Sequence, residues 1–198
     1  MTRGMLYAVI LTIAFGVFWF AYYKDIYLEG KKNADTLKAE GWKLYDDDKV
    51  DEAVAKFKKA IEKNAKYAPG YFGLGSCYNQ KNDYEKAKDS FAKALEIKPD
   101  YHTARISYAR CLMRLSTNKR ETLKTIEQEI AKIPNEAYAD PNVAYNFATL
   151  QSVIGHSRYA LQYLSYSISR ENATADDAKK DRDFDSIRNM PEFKRMVD

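Results

Sequence analysis

Hydrophobic and polar positions divide the chain into two parts with different patterns. Residues 5–23 form a run of 19 residues without a charged side chain. From about residue 34 onward, apolar residues recur at helical spacing and are interrupted by short polar breaks, such as residues 46–48 and 81–83. This pattern predicts one long apolar helix followed by a series of antiparallel amphipathic helices.

The apolar run has the dimensions of a membrane-spanning helix. At about 1.5 Å per residue it would be roughly 28 Å long, close to the ~30 Å hydrocarbon core of a bilayer. The bulky residues Phe18, Trp19 and Phe20 near its end suit a membrane interface, and they occupy the place where a cleaved signal peptide needs small residues. We therefore predict an uncleaved transmembrane anchor over residues 1–24 and a linker over 25–33.

The charges that flank the run bear on its orientation. More bases follow it than precede it, which favours the cytoplasmic side for the rest of this single-pass protein. The tail before the run is very short, so the opposite orientation stays open.

A stripe of small residues lies along the predicted anchor. Ala8, Thr12 and Gly16 are four residues apart and would share one helix face, where another helix could approach closely. Small residues are also common in membrane helices without this role. The stripe is therefore a candidate helix-packing site with two open interpretations.

The remainder of the chain is self-similar at a shift of 34 residues. Identical residues at this spacing are Gly41 and Gly75, Ala53 and Ala87, Phe57 and Phe91, and Ala60 and Ala94. A period of this length is typical of stacked helix pairs, in which small residues allow close approach and aromatic rings fill the seam.

The best copy resembles the tetratricopeptide repeat (TPR). It contains Tyr71-x2-Leu74-Gly75-x2-Tyr78, then Ala87-x3-Phe91-x2-Ala94, then Pro99, and these positions span the whole 34-residue signature of that family. The resemblance implies an all-α fold, in which about four helix-turn-helix repeats form an α-solenoid behind the anchor.

The repeat register predicts the domain boundaries. Asp140 and Pro141 form a helix start, and Phe184, Ile187, Phe193 and Met196 would cover the last open hydrophobic face. The expected units are TPR 1 at 34–67, TPR 2 at 68–101, a degenerate TPR 3 at 102–136, a degenerate TPR 4 at 141–174 and a C-terminal cap at 175–198.

In the TPR family, the first helices of successive repeats line a concave groove that binds a protein segment. Transfer of that pattern to this chain gives the candidate lining Lys38, Trp42, Tyr45, Phe72, Ser76, Asn79, Ile106, Arg110, Met113, Arg114 and Tyr145. Trp42 could anchor a partner or pack on the linker. Arg110 and Arg114, one turn apart, could hold a carboxylate or be solvated surface bases.

No motif in the sequence indicates catalysis or metal binding. The two histidines, His102 and His156, have no partner motif. Cys77 and Cys111 occupy equivalent positions of neighbouring repeats, where first helices lie about 8–10 Å apart, too far for a disulfide. We expect free packed thiols, no cofactor, no metal and no enzymatic activity.

The leading functional hypothesis is a membrane-tethered scaffold for protein–protein interaction. It would act as an assembly factor or accessory subunit of a membrane complex, with protein partners and lipid but without nucleic acid or a small-molecule substrate. The alternative is an RNA or nucleic-acid-associated repeat protein, whose binding would fall steeply with salt. The net charge of +4, from 32 bases and 28 acids, does not by itself favour that alternative.

Overall fold

The computed structural model describes residues 33–170 and 175–198, together with Gly16, Trp19, Phe20, Tyr22 and Lys24. Within these ranges the secondary structure is helical, which confirms the all-α prediction. The helices are α1 (33–46), α2 (Val50–Lys63), α3 (Ala68–Gln80), α4 (Tyr84–Ile97), α5 (His102–Leu115), α6 (Lys119–Ile130), α7 (Pro141–Ile154), α8 (Ser157–Ser169), α9 (Ala175–Lys180) and α10 (Pro191–Val197).

Most of the predicted anchor lies outside the described residues, including Ala8 and Thr12 of the small-residue stripe. Among the described residues, no helix combines the length and the apolar character that crossing a membrane requires. A side-chain carbon added at Gly16 would meet nothing within 4 Å. The transmembrane anchor therefore stays a prediction.

Consecutive helices pack side by side, and local signals set where they start and stop. The Asp83 side chain accepts a hydrogen bond from the Lys86 N–H at the start of α4, and Asp140 accepts one from the Asn142 N–H at the start of α7. Helix α7 ends at Gly155, whose φ of 92° lies in the left-handed region. The predicted helix start at residues 140–141 is confirmed.

The turns inside the first two helix pairs repeat the 34-residue period. Asp48 and Asn82 are 34 positions apart, and both have positive φ, at 60° and 61°. Asp and Asn tolerate this conformation better than most other residues. The turn between the two helices of each pair therefore has the same backbone geometry in both copies.

Glycines and phenylalanines close the first two pairs. Phe57 and Phe91 are fully buried. A side-chain carbon added at Gly41 would lie 2.9 Å from the Phe57 ring, and one added at Gly75 would lie 2.7 Å from the Phe91 ring. Because any larger residue would collide with the ring, the small residues at the period-34 positions have a direct steric role.

The connection between α6 and α7 is partly helical and packs against the helix stack. Residues Asn135–Ala139 form a 3-10 turn. The Tyr138 ring lies 4.7 Å from Phe147 and 5.7 Å from Tyr163, measured between ring centroids. The turn thus packs on α7 and α8 through an aromatic contact.

The C-terminal segment covers the end of the helix stack, as predicted. Phe184, Ile187 and Phe193 are buried with Ala148 of α7 and Leu164 of α8, and Met196 packs against the same cluster. The 3-10 turn Arg182–Phe184 lies against α7. This placement brings the charged residues that precede Phe184 close to α5.

Candidate protein-binding groove

The first helices α1, α3, α5 and α7 bring most of the predicted groove residues together. We call their common side the inner face, defined by Trp42, Phe72, Arg110 and Tyr145. The Trp42 and Phe72 ring centroids are 6.0 Å apart. Arg110 interacts electrostatically with Tyr45 of α1. Arg110 and Tyr145 both contact the segment that precedes Phe184, since Arg110 pairs with Asp183 and the Tyr145 hydroxyl donates to Asp181. Residues of four helices therefore converge on one surface.

One end of the inner face is aromatic. The half-buried Trp42 ring packs edge-on against Phe57 at 5.3 Å and Tyr45 at 5.4 Å. Phe72 contacts Phe91 at 5.6 Å and Tyr101 at 5.0 Å. Trp42 and Phe72 therefore stabilise the first helix pairs, and they present only part of each ring to a partner.

Polar residues accompany this aromatic end. Lys38 Nζ lies 3.7 Å from Asp35 Oδ1, and about a third of the Lys38 side chain is exposed. The Ser76 hydroxyl donates to the carbonyl of Phe72 at 3.1 Å. Asn79 is half-buried near the end of α3. Of these residues, Lys38 and Asn79 can be substituted with the least loss of packing.

The other end of the inner face is a carboxylate clamp. Arg110 Nη1 lies 2.9 Å from Asp183 Oδ2, and Arg114 Nη2 lies 2.6 Å from Asp183 Oδ1. Arg110 also donates to Thr149 Oγ1 at 2.6 Å. Of the two interpretations of the arginine pair, the structure shows the carboxylate contact, and the carboxylate belongs to the chain itself.

A second carboxylate lies beside the clamp. Asp181 accepts hydrogen bonds from the Tyr145 hydroxyl at 3.0 Å and from the Asp183 N–H at 2.9 Å. Burial and the nearby Asp183 raise the pKa of Asp181 above its usual value, although Arg110 opposes this. Burial opposes the charge on Arg110, but Asp183 and Asp181 raise its pKa. The clamp is thus a largely dry cluster of opposite charges.

The segment that contains Asp181 and Asp183 also contacts two other parts of the helix stack. We call residues 181–186 the C-terminal turn. Its Arg182 side chain donates to Asn82 Oδ1, at the turn between α3 and α4. Its Ser186 hydroxyl donates to the carbonyl of Ser152 on α7 at 2.9 Å. The C-terminal turn therefore spans the inner face from the fourth helix pair to the second.

Sequence reasoning missed the C-terminal turn as a groove component. The burial of Phe184 was predicted from its apolar character, but nothing in the local pattern marked Asp181 and Asp183 as partners of α5 or Arg182 as a partner of Asn82. Their contacts join residues up to 100 positions apart. The sequence did show two arginines one helical turn apart, which suit a carboxylate. It did not indicate which acidic residue the two arginines would hold.

Comparison with known proteins bears on the family. A tetratricopeptide repeat model matches residues 68–101. The chain therefore contains a tetratricopeptide repeat at these residues. It matches no curated protein sequence at significant similarity.

One solved structure shows a similar fold, and others align with lower scores. A tetratricopeptide repeat protein from Parabacteroides merdae superposes with a TM-score of 0.51 at 17% identity, over 83% of this chain and 61% of that protein. YrrB, described as a TPR protein with an unusual peptide-binding site, gives 0.47 at 22% identity, over 89% and 87%. A MamA fragment from Desulfovibrio magneticus RS-1 gives 0.47 at 12% identity, over 83% and 89%.

Two of the predicted lining residues of the third TPR helix pair lie in the core. Ile106 is fully buried and Met113 is 9% exposed. Both belong to a cluster with Ile126 of α6 and Leu150 of α7. They hold the third and fourth helix pairs together, whereas the sequence expectation placed them in the lining of the groove.

The two cysteines are free and buried, as predicted. Cys77 packs with Phe57, and Cys111 packs with Phe91. Burial raises the pKa of the Cys77 thiol to about 12 and that of the Cys111 thiol to about 11. Both thiols are therefore protonated at neutral pH and unsuited to nucleophilic chemistry.

Metal chemistry finds no support in the described part of the TPR chain. Over residues 33–170 and 175–198, no three His, Cys, Asp or Glu side chains are grouped so that they could hold an ion.

A surface depression lies away from the inner face. It has a volume of about 590 Å³ and lies between α8 and α10, where Leu161, Met190 and Met196 line it together with polar side chains. Nothing in the described structure identifies an occupant for it.

Proposed function

We propose that this TPR protein is a membrane-tethered scaffold that binds a protein segment on its inner face. It would act as an assembly factor or accessory subunit of a membrane complex. The observation that carries the proposal is the convergence of residues from α1, α3, α5 and α7 on one face, which has aromatic residues at one end and the arginine pair Arg110 and Arg114, held by Asp183, at the other. Aromatic residues and arginine are the side chains that most often anchor protein partners.

The charge distribution favours a protein partner over a nucleic acid. Bases on the described surface alternate with acids and pair with them, for example Lys56 with Glu40 and Lys81 with Asp51, each at 2.5 Å. A nucleic-acid interface needs bases gathered on one face. The pairing of bases with acids works against such a face.

The N-terminal residues support the tether. The uncharged run 5–23 has the length of a membrane span, and Trp19, Phe20 and Tyr22 are about half exposed or more. Exposed aromatic rings at the end of an apolar run suit a membrane interface. A tether would raise the effective concentration of the inner face near membrane partners.

Membrane extraction tests the tether. The full-length chain should remain in the membrane pellet after alkaline carbonate treatment, whereas a chain without residues 1–24 should be released as a folded helical protein. Release of the full-length chain by carbonate would contradict the tether and leave the inner-face proposal standing.

Affinity purification from detergent tests the inner face. The double variant Lys38→Glu with Asn79→Arg should capture at least about fivefold less partner than the wild type, with an unchanged melting temperature. Lys59→Glu, on the exposed side of α2, is the matched control and should capture normally.

The two possible contact surfaces give opposite results in this experiment. If capture survives the double variant but is lost when bulky residues replace Ala8, Thr12 and Gly16, the partner binds the membrane helix. That outcome would contradict the inner-face proposal and leave the helix stack as a spacer.

A further inference from the structure

The cationic end of the inner face already holds an anion. The two oxygens of Asp183 are divided between Arg110 and Arg114, at 2.9 and 2.6 Å. Arginine forks match the geometry of a carboxylate, and such paired contacts are among the stronger hydrogen bonds in proteins. The chain therefore displays, in its own fold, the chemistry that this end of the inner face recognises.

We propose that the C-terminal turn is an internal ligand, and that the partner of the inner face carries an acidic segment whose carboxylate replaces that of Asp183. This inference rests on the proposed function, because it names the partner chemistry and the regulation of the same surface. The C-terminal turn would hold the cationic end closed until an acidic segment competes for it.

The geometry allows a partner to reach the clamp. About a third of the Arg114 side chain is exposed, whereas the Arg110 side chain is 10% exposed and that of Asp183 is 12% exposed. An incoming carboxylate can therefore contact Arg114 from solvent before Asp183 leaves. The exchange requires that residues 182–184 move away from Arg110 and Arg114.

Competition sets the expected size of the effect. A ligand tethered in the same chain acts at an effective concentration in the millimolar range. The apparent affinity for an external ligand equals the intrinsic affinity multiplied by the fraction of molecules in which the clamp is free. Removal of the internal carboxylate should therefore strengthen the binding of an external one.

The experiment uses the full chain in detergent and a fluorescein-labelled peptide, KDRDFD, which copies residues 180–185. Fluorescence anisotropy should show about tenfold tighter binding to the Asp183→Ser chain than to the wild type. Asp185→Ser is the matched control, because Asp185 is an exposed acid in the same segment that pairs with Arg188. It should bind the peptide as weakly as the wild type.

Two further arms identify the recognised group. The peptide KDRNFD, which lacks the central carboxylate, should show no gain with the Asp183→Ser chain. Addition of Arg114→Gln to Asp183→Ser should return KDRDFD binding to the wild-type level. Equal binding of KDRDFD to the wild type and to Asp183→Ser, or equal binding of the two peptides, would overturn the proposal and leave the clamp with a purely structural role.

A second measurement keeps the test decisive if Asp183→Ser does not fold. Hydrogen exchange on the wild type should show faster exchange of the amides of residues 182–184 at saturating KDRDFD, and no change with KDRNFD. Unchanged exchange would overturn the proposal. If partner capture depends on Lys38 and Asn79 while both peptide readouts fail, the proposed function holds and only this inference is lost.

Discussion

The two halves of the helix stack are held together by different physics. In residues 33–101, fully buried phenylalanine rings pack against glycines of the neighbouring helix. In residues 102–198, seven of the eight buried polar or charged side chains of the described residues are found. The first half is thus a repeated steric fit, whereas the second half adds a polar network that joins residues distant in the chain.

This difference explains why the repeat signature fades toward the C-terminus. The packing of a phenylalanine ring against a glycine involves two positions within one period, so the same two residues recur 34 positions later. The contact between Arg110 and Asp183 joins residues 73 positions apart, so it does not follow the 34-residue spacing. A helix pair stabilised by such contacts can lose the signature residues and keep its place in the stack.

We expect the largest effect on stability in residues 33–101, where phenylalanine rings pack against glycines. Phe91 is fully buried, so Phe91→Ala should lower the free energy of unfolding by about 3–5 kcal/mol through lost burial and the cavity left behind. Urea denaturation followed by circular dichroism measures this. Tyr159→Ala, at a side chain that is 56% exposed, is the control and should change stability by less than about 0.5 kcal/mol. A loss below about 1 kcal/mol at Phe91 would contradict the steric account.

Overpacking of the same seam should cost somewhat less. A side-chain carbon added at Gly73 would lie 2.3 Å from the Phe57 ring, compared with 2.9 Å for one added at Gly41. Gly73→Ala should therefore destabilise the chain by about 1–3 kcal/mol, and Gly41→Ala by less. Equal melting temperatures for the two variants would show that the Phe57 ring shifts freely, and the fit would then be less strict than the distances imply.

In residues 102–198, the polar network should make the stability of the chain depend on pH through Asp181. The pKa of Asp181 is higher in the folded state than in the unfolded state. The stability that Asp181 contributes is therefore fully present below its unfolded pKa and is lost as pH rises through its folded pKa. Asp181→Asn copies the neutral form and should be more stable than the wild type at pH 7, with the difference narrowing toward pH 3. Thermal melts at several pH values measure this, and a less stable variant at pH 7 would contradict it.

Glu129 should show the smallest effect, with the opposite sign. Burial opposes its charge, but hydrogen bonds from Lys132 and Arg105 lower its pKa in the folded state. The stability that it contributes is present above its unfolded pKa and is lost as pH falls through the folded pKa. Glu129→Gln should therefore be less stable than the wild type near pH 7 and equal to it at low pH. Identical pH profiles would mean that solvent screens this pair completely.

Local sequence patterns predicted much of the fold. The polar break at residues 81–83, the cap at Asp140, the Gly–Phe seam and the burial of Phe184 and Phe193 all depend on residue size, polarity and spacing within one or two helices. The transferred groove positions brought Trp42, Phe72 and Arg110 to one surface. They did not separate the surface residues from Ile106, which the packing of α5 on α6 and α7 buries.

The sequence by itself determined the helix-pair period and the resemblance to the TPR family, because a steric fit that recurs after 34 residues leaves the same residues at Gly41 and Gly75 and at Phe57 and Phe91. Only the tertiary structure decided what occupies the cationic end of the inner face. Asp183 is one acid among 28 acidic residues in the chain. Its selection by Arg110 and Arg114 depends on how four helix pairs and the C-terminal turn stack in space, and a contact of that range has no periodic pattern from which it could be inferred.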